Sequence, residues 1–290
     1  GIDMQKYKSK IQKRGVEGIV WQTVIYIFMA VVVFFVILPV VLTIIISLKT
    51  KVEFQQSFWQ LPQTPMWSNY AYGLSGIWNN MLNSIVIYLI ITFGAVALSS
   101  FAAYVFVRHK FPGREFLFML IVALQIVPGV LTLTPTYLTV INLHLDNTWW
   151  ALILPGIAGQ QIGNIFIFRT FMANHPKEIY ESAQLDGANE FVLYSQLCIP
   201  LSIPILTIQL IGIFASMYND YMWPYLVIER KDISPLMPIL KSLAANLADQ
   251  SGEPGVSYAV YLVAGIPLIF TTAFGLKFFI NGDFAAAVKL

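Results

Sequence analysis

The chain has few charged residues and almost no cysteine. Charged residues make up 11% of its 290 residues, whereas about a quarter is usual in soluble globular domains. Because hydrophobic residues reach 57%, the sequence cannot cover a folded surface with water-compatible groups, and we expect it to fold in a lipid bilayer. The single cysteine, Cys198, excludes an internal disulfide and a multi-cysteine metal cluster. We expect it to fill apolar space near the membrane surface.

Motifs of catalysis are missing as well. The sequence contains no Gly-x-x-x-x-Gly-Lys-Ser/Thr loop for nucleotide phosphates, no His-Glu-x-x-His and no Gly-x-Ser-x-Gly. Its histidines are far apart along the chain, and its basic residues lie at the ends of apolar runs rather than in a stripe. We therefore expect no enzyme activity, no metal, no cofactor and no nucleic-acid partner for this chain itself.

What the sequence does contain is a set of long apolar runs. Only helices and closed barrels satisfy their backbone groups in lipid, and runs of about 20 apolar residues predict helices. The predicted fold class is an all-α membrane protein of six transmembrane helices over residues 19–280, with short segments 1–18 and 281–290 outside it. The runs are Ile19–Leu48, Met81–Val107, Phe116–Leu143, Trp149–Met172, Leu201–Ile228 and Tyr258–Ile280.

The distribution of basic residues predicts the orientation of these helices. Lysines and arginines are concentrated at the N-terminus, between the second and third runs, and around the polar stretch 174–200. By the positive-inside rule, both termini and this stretch are cytoplasmic. The tryptophans favour the same orientation, because they cluster on the opposite side as an interfacial aromatic belt would: Trp59, Trp67, Trp78, Trp149, Trp150 and Trp223.

Ionisable side chains are nearly absent from the middle of the predicted helices. Arg169 lies at a cytoplasmic helix end, and Asp220 lies near the outer end of the fifth run. An ion-coupled secondary sugar carrier usually needs such groups at mid-membrane, so this alternative is disfavoured but stays open. An intramembrane enzyme or an assembly scaffold is a second alternative. The enzyme would need a catalytic cluster, and the scaffold would show no substrate flux.

The polar stretch 174–200 has the signals of a short helix of its own. Pro176 suits a first helical turn, and Glu178 and Glu181 suit the positive end of a helix dipole. Gly187 is a natural stop, because glycine readily adopts the left-handed conformation beyond a helix C-terminus. We expect a helix of a few turns along the membrane surface, with a small-residue face that another protein can approach closely.

Two segments of this stretch form a recognisable pattern. They read Glu181-Ser-Ala-Gln-Leu-Asp-Gly187-Ala188 and, further on, Leu197-Cys-Ile-Pro-Leu201. The pattern resembles the EAA loop of the permease subunits of binding-protein-dependent ABC importers, with Ser182 where alanine is usual. Four further segments resemble the MalG-like branch, which imports carbohydrates: Ala102-Ala103-Tyr104, Phe111-Pro112-Gly113, Tyr218–Pro224 and the tail from Asn281.

The resemblance implies a mechanism and a set of partners. The short helix would be a coupling helix seated in a cleft of a separate ATPase, whose closure on ATP would swing the attached helices. The partners would be a second homologous permease, two ATPase subunits that bind ATP and Mg, and a solute-binding protein outside the bacterial inner membrane. The tail 281–290 would reach the ATPase interface or be a disordered end. The residues implied in ATPase coupling are Tyr180, Glu181, Ser182, Ala183, Asp186, Gly187 and Ala188.

Polar and aromatic side chains in the apolar runs are candidates for the substrate pathway. Their hydrogen-bonding groups and ring faces suit the hydroxyls and C–H faces of a sugar, but they equally suit contacts between helices, and both readings stay open. The resemblance implies an oligosaccharide, either maltodextrin-like or an alginate-like uronate, and the scarcity of basic residues in the runs leans towards a neutral one. The candidates are Gln125, Gln160, Asn164, Tyr218, Asn219, Asp220, Tyr221 and Trp223.

Overall fold

The structure, a computed structural model, describes residues 2–280, with side chains described at 18–19 and 21–275. In this part of the chain every regular element is helical and none is a strand, which confirms the predicted all-α class. The tail 281–290 lies outside the described residues. The helices are α1 (Ile2–Ser47), α2 (Lys51–Gln56), α3 (Ser68–Arg108), α4 (Arg114–Leu124), α5 (Gly129–Asn142), α6 (Trp150–Met172), α7 (Lys177–Leu185), α8 (Glu190–Val192), α9 (Ile199–Asn219), α10 (Met222–Val227), α11 (Leu240–Ser251) and α12 (Gly255–Ile280).

Five helical segments of the described chain are long and apolar enough to cross a membrane, and a sixth is completed only by α4 and α5 together. The third predicted span is therefore not one continuous helix, because α4 and α5 meet at an angle of 100°. Pro128 explains the break. It has no N–H to donate and disfavours helical backbone in the residue before it, and it has φ −61° and ψ 130° where α5 begins.

Two other spans differ in extent from the apolar runs. The second span, α3, begins at Ser68, well before the predicted Met81, because polar residues precede the apolar part of the same helix. The fifth ends at Asn219 rather than Ile228, since Asp220 leaves the helical region with ψ 120° and a separate short helix, α10, follows. These differences lengthen one helix and place a bend beside Asp220.

The centre of the bundle is α3, which packs against α6, α9 and α12, while α1 packs mainly against α12. Glycines let α3 and α6 approach closely. A Cβ on Gly156 would lie 2.9 Å from Ile91 Cδ1, and one on Gly94 would lie 2.7 Å from Ile157 Cδ1. By contrast, only 6% of the most apolar stretch of α1, within Trp21–Ser47, is buried. This helix therefore needs lipid or another protein around it.

The bundle has a loop end, where α7 lies, and a tryptophan end, where Trp59, Trp67 and Trp149 lie. At the tryptophan end the link from α1 to α3 folds over Lys49, whose side chain is fully buried. Its Nζ donates to the carbonyl oxygens of residues 57 and 58 at 2.5 and 2.6 Å. Lys49 therefore holds this connection in place.

Candidate functional site

A Schellman motif closes the C-terminus of α7. Gly187 has a φ of +86°, and its N–H donates to the carbonyl oxygen of Gln184 at 3.0 Å. The Ala188 N–H donates to the carbonyl oxygen of Ala183 at 2.9 Å. These two bonds satisfy carbonyls that the helix leaves open and turn the chain away. At the other end, Pro176 precedes the first helical residue instead of lying in the first turn.

Tyr180 anchors α7 to the bundle. Its side chain is only 3% exposed, the Arg108 guanidinium lies 3.3 Å from its ring centre, and its hydroxyl lies 2.9 Å from His175 Nδ1. Burial raises the pKa of the Tyr180 hydroxyl, and burial together with the Arg108 charge lowers the pKa of His175 to about 4. The coupling role that the resemblance implies for Tyr180 stays a prediction. The structure places its side chain against α3 of its own chain.

A second contact ties the start of α8 to α3. Glu190 Oε2 accepts a hydrogen bond from the Tyr104 hydroxyl at 2.8 Å and lies 3.2 Å from His109 Nε2. Asn189 caps α8 by accepting the Val192 N–H at 3.0 Å. The sequence interpretation did not include Glu190 in the site. Asn-Glu is a helix-start signal, but no local pattern indicates its partners on α3.

The outer face of α7 carries most of the other residues assigned to ATPase coupling. Leu185 is 90% exposed on this face. Ala183 and Ala188 lie beneath, half-buried against the apolar cluster at the loop end. Of the residues assigned to coupling, the exposed ones are Glu181, Ser182, Asp186 and Gly187. The helix therefore has one face held by this chain and one face free of it.

A single helical segment connects α7 to the opposite end of the bundle. Following the short turn at Gly187, α8, a π-helical turn at Leu193–Cys198 and α9 together form Glu190–Asn219, which has 30 residues. At 1.5 Å per residue this is about 45 Å. Cys198 is buried in the apolar cluster, as expected. π-Helical turns are rare overall, and those that occur are often found at functional sites. The segment ends beside Asp220.

A cavity of 270 Å³ lies at that far end, between α3, α5, α6 and α9. Three of the predicted pathway residues line it, namely Gln160, Asp220 and Trp223. Asp220 Oδ1 accepts the Met222 N–H at 3.0 Å, and Trp223 Nε1 donates to the Ala151 carbonyl oxygen at 3.0 Å, so both side chains are held. The polar walls that the sequence interpretation missed are Tyr88, Thr132 and Thr136.

The other predicted pathway residues lie outside this cavity. The buried Tyr218 donates its hydroxyl to the Ala264 carbonyl oxygen at 2.9 Å, which joins α9 to α12. Asn219 donates to the carbonyl oxygen of Ala215 in its own helix at 2.8 Å. Asn164 is buried, and its Nδ2 has no partner among the described residues. The exposed residues of this group are Gln125, Asn219 and Tyr221.

Residues 95–280 match the family described as binding-protein-dependent transport system inner membrane component. The chain belongs to this family. Its members are multi-pass membrane permease subunits of ABC importers, and the permease subunit is not itself catalytic. The expected role as a permease rather than an enzyme is thereby confirmed. Membership also implies, in general terms, a partner permease, an ATPase and a binding protein.

Known relatives match this permease over nearly its whole length. It is 27% identical over 268 residues to the arabinooligosaccharides transport system permease protein AraQ of Halalkalibacterium halodurans, covering 90% of this chain and 94% of the relative. It is 31% identical over 271 residues to the putative ABC transporter permease protein ORF2 of a Caldicellulosiruptor species, covering 91% and 96%. A chain from a bacterial ABC transporter involved in the import of the acidic polysaccharide alginate has the same fold, with a TM-score of 0.79, 20% identity, and coverage of 90% and 96%.

Proposed function

We propose that this permease imports a carbohydrate, specifically an oligosaccharide, across the bacterial inner membrane. Two comparisons support the choice of substrate class. One relative is named for arabinooligosaccharides, and the solved transporter with the same fold is described as importing alginate. The side chains that line the cavity agree with this choice, because amide, carboxylate and hydroxyl groups beside an indole suit a polyhydroxylated ligand.

The observation that carries the proposal is the division of α7 into two faces. Tyr180 and the Arg108 guanidinium hold the inner face, while Leu185 on the outer face is 90% exposed. The outer face of this firmly held helix is uncovered by its own chain and is therefore accessible to another protein. We assign the outer face to the ATPase, and the helix Glu190–Asn219 to the transmission of its movement.

The proposed assembly has four further subunits. A second, homologous permease completes the pathway, two ATPase subunits dock at the loop ends, and a solute-binding protein delivers the substrate. ATP and Mg bind to the ATPases, since this chain has no phosphate-binding loop. The positive-inside rule supports a cytoplasmic position for α7 and both termini. The tail 281–290 is proposed to reach the ATPase interface.

We propose that the substrate pathway passes the break between α4 and α5. The backbone between Leu124 and Gly129 is not α-helical, and its apolar neighbours Ile126 and Val130 are each 82% exposed. Non-helical backbone in a membrane must be buried in protein or line water. The partner permease and the pathway would supply these surroundings, and Gln125 would lie at the boundary between them.

The test is reconstitution of the complete complex, with Leu185→Glu as the perturbation. Leu61→Glu is the matched control, because Leu61 is 73% exposed at the tryptophan end. We expect the Leu185 variant to lose ATPase copurification and stimulated ATP hydrolysis, and the control to keep ATPase association. Normal ATPase association in the Leu185 variant would contradict the assigned face. Uptake driven by an ion gradient without ATP would favour the ion-coupled carrier.

A further inference from the structure

We propose that the cavity beyond α9 is a subsite for one residue of a neutral saccharide and that it discriminates against uronates. The inference rests on the proposed function and deepens it, because it chooses between the neutral and acidic ligands that the sequence leaves open. The structure brings together a carboxylate, hydrogen-bond acceptors and an indole ring, with no lysine, arginine or histidine among the described residues that line the cavity.

Asp220 places a carboxylate in the cavity wall. Asp220 Oδ1 accepts the backbone N–H groups of Met222 and Trp223 at 3.0 and 3.4 Å. Its Oδ2 takes no hydrogen bond from the described residues. The cavity is partly open, and its lining holds no cation, so a second carboxylate brought into it is repelled by Asp220. A sugar hydroxyl, in contrast, can donate a charge-assisted hydrogen bond to it.

The threonines of α5 strengthen this preference. Thr132 Oγ1 donates to the Gly129 carbonyl oxygen at 2.8 Å, and Thr136 Oγ1 donates to the Thr132 carbonyl oxygen at 2.7 Å. Because their protons are used within the helix, both hydroxyls offer the cavity only acceptor lone pairs. Sugar hydroxyls can donate to such groups, whereas an ionised carboxylate can only accept. The amide of Gln160 is the wall group that can both donate and accept.

Aromatic groups and size complete the match. The hydrogen bond from Trp223 Nε1 to the Ala151 carbonyl oxygen fixes the indole as a wall for the C–H face of a sugar. Tyr88 also lines the cavity, but its hydroxyl is buried and out of reach of a ligand there. The volume of 270 Å³ lies just below that of ligand sites for drug-sized molecules, which are roughly 300–1,000 Å³, so it suits one sugar residue.

The experiment measures occupancy of the cavity directly, independently of what the binding protein selects. Thr132→Cys places a thiol reporter on an exposed position of the cavity wall, and mass spectrometry of its peptide follows maleimide labelling in the complete complex. The probes are arabinotriose and trigalacturonate. We expect arabinotriose to protect at about tenfold lower concentration than trigalacturonate, which corresponds to about 1.4 kcal/mol.

Asp220→Asn in the same reporter background should remove most of this difference. Asparagine keeps an oxygen that can cap the following turn, so the local backbone is preserved. Glu229→Gln is the control, because Glu229 is an exposed carboxylate at the same end and does not line the cavity. We expect discrimination to persist in this control. If the Asp220 variant fails to assemble, the comparison of the two probes in the reporter background decides alone.

Equal protection by the two probes overturns the proposal, as does unchanged discrimination in an assembled Asp220→Asn complex. Protection by neither probe also overturns it. A separate uptake assay, with the saccharide that the binding protein retains, then distinguishes failure of the subsite from failure of the proposed carbohydrate import. ATP-dependent uptake without protection leaves carbohydrate import standing and removes only this subsite. Absence of saccharide uptake removes the proposed function as well.

Discussion

A substitution series at Gly187 tests whether the geometry of the α7 C-terminus is needed for coupling. Gly187 has a φ of +86°, and a Cβ built there meets no atom within 4 Å, so a side chain acts through backbone strain rather than through a clash. Left-handed backbone costs a non-glycine residue roughly 1–2 kcal/mol, least for asparagine and most for β-branched residues. One to two kcal/mol is roughly a 5–30-fold change in the population of the ordered cap. We therefore expect Gly187→Asn to lose the least coupling, Gly187→Ala to lose more, and Gly187→Val to lose the most.

The assay is ATP hydrolysis by the reconstituted complex with and without loaded binding protein, together with the amount of ATPase that copurifies. Gly252→Val is the matched control. Gly252 has a φ of +71°, equally free surroundings, and a place at the end of α11 on the opposite side of the bundle. A loss that follows side-chain volume, with asparagine worse than alanine, would refute the strain argument. An equal loss of ATPase association in the Gly252 variant would refute the assignment of Gly187 to coupling.

Two further predictions concern one buried and one half-buried ionisable group. Lys49→Met should lower the thermal midpoint of the purified complex, because it leaves the two carbonyl oxygens that Nζ binds at 57–58 unpaired, at about 1–3 kcal/mol each; an unchanged midpoint would contradict this role. The pKa of His175 is about 4 in the folded state, below its unfolded value near 6.5, so the folded state binds fewer protons. The stability of the fold should therefore fall as the pH drops from about 6.5 to about 4 and stay level above that range. His175→Gln should flatten this pH profile of the thermal midpoint, and an unchanged slope would show that another group titrates.

The short helix α7 could be predicted because its signals are local. The glycine that ends it lies within a few residues of the carbonyl groups that the turn satisfies, so the chain sequence alone specifies the motif. The apolar runs predict membrane helices for a similar reason, since each helix satisfies its own backbone. Both predictions depend on interactions within one element. The inward position of Tyr180 could not be predicted from the sequence, because Arg108, which covers its ring, lies on a different helix.

The cavity could be predicted only in part. Asp220 and Trp223 stand out as polar or amphipathic groups near the end of an apolar run, but Tyr88 and Thr132 come from α3 and α5, and no spacing along the chain brings them together. The break at Pro128 has a local cause, yet a proline in a membrane helix can give a mild kink or a full break. Its 100° angle depends on the packing of α4 and α5 against their neighbours.

The two candidate sites are joined by a pair of packed helices rather than by one. The central helix α3 carries Tyr88 at the cavity and Tyr104 at the loop end, while the segment Glu190–Asn219 begins at Glu190 and leads directly to Asp220. A displacement of that segment along α3 therefore changes the Tyr104–Glu190 hydrogen bond and the spacing of Tyr88 and Asp220 together. Any ligand in the cavity that prefers one spacing must bias the position of α7 by the same free energy with which α7 biases ligand binding. Such reciprocal coupling does not require a chain of rearranging side chains through the core. Two stiff helices that can pack in more than one register are sufficient.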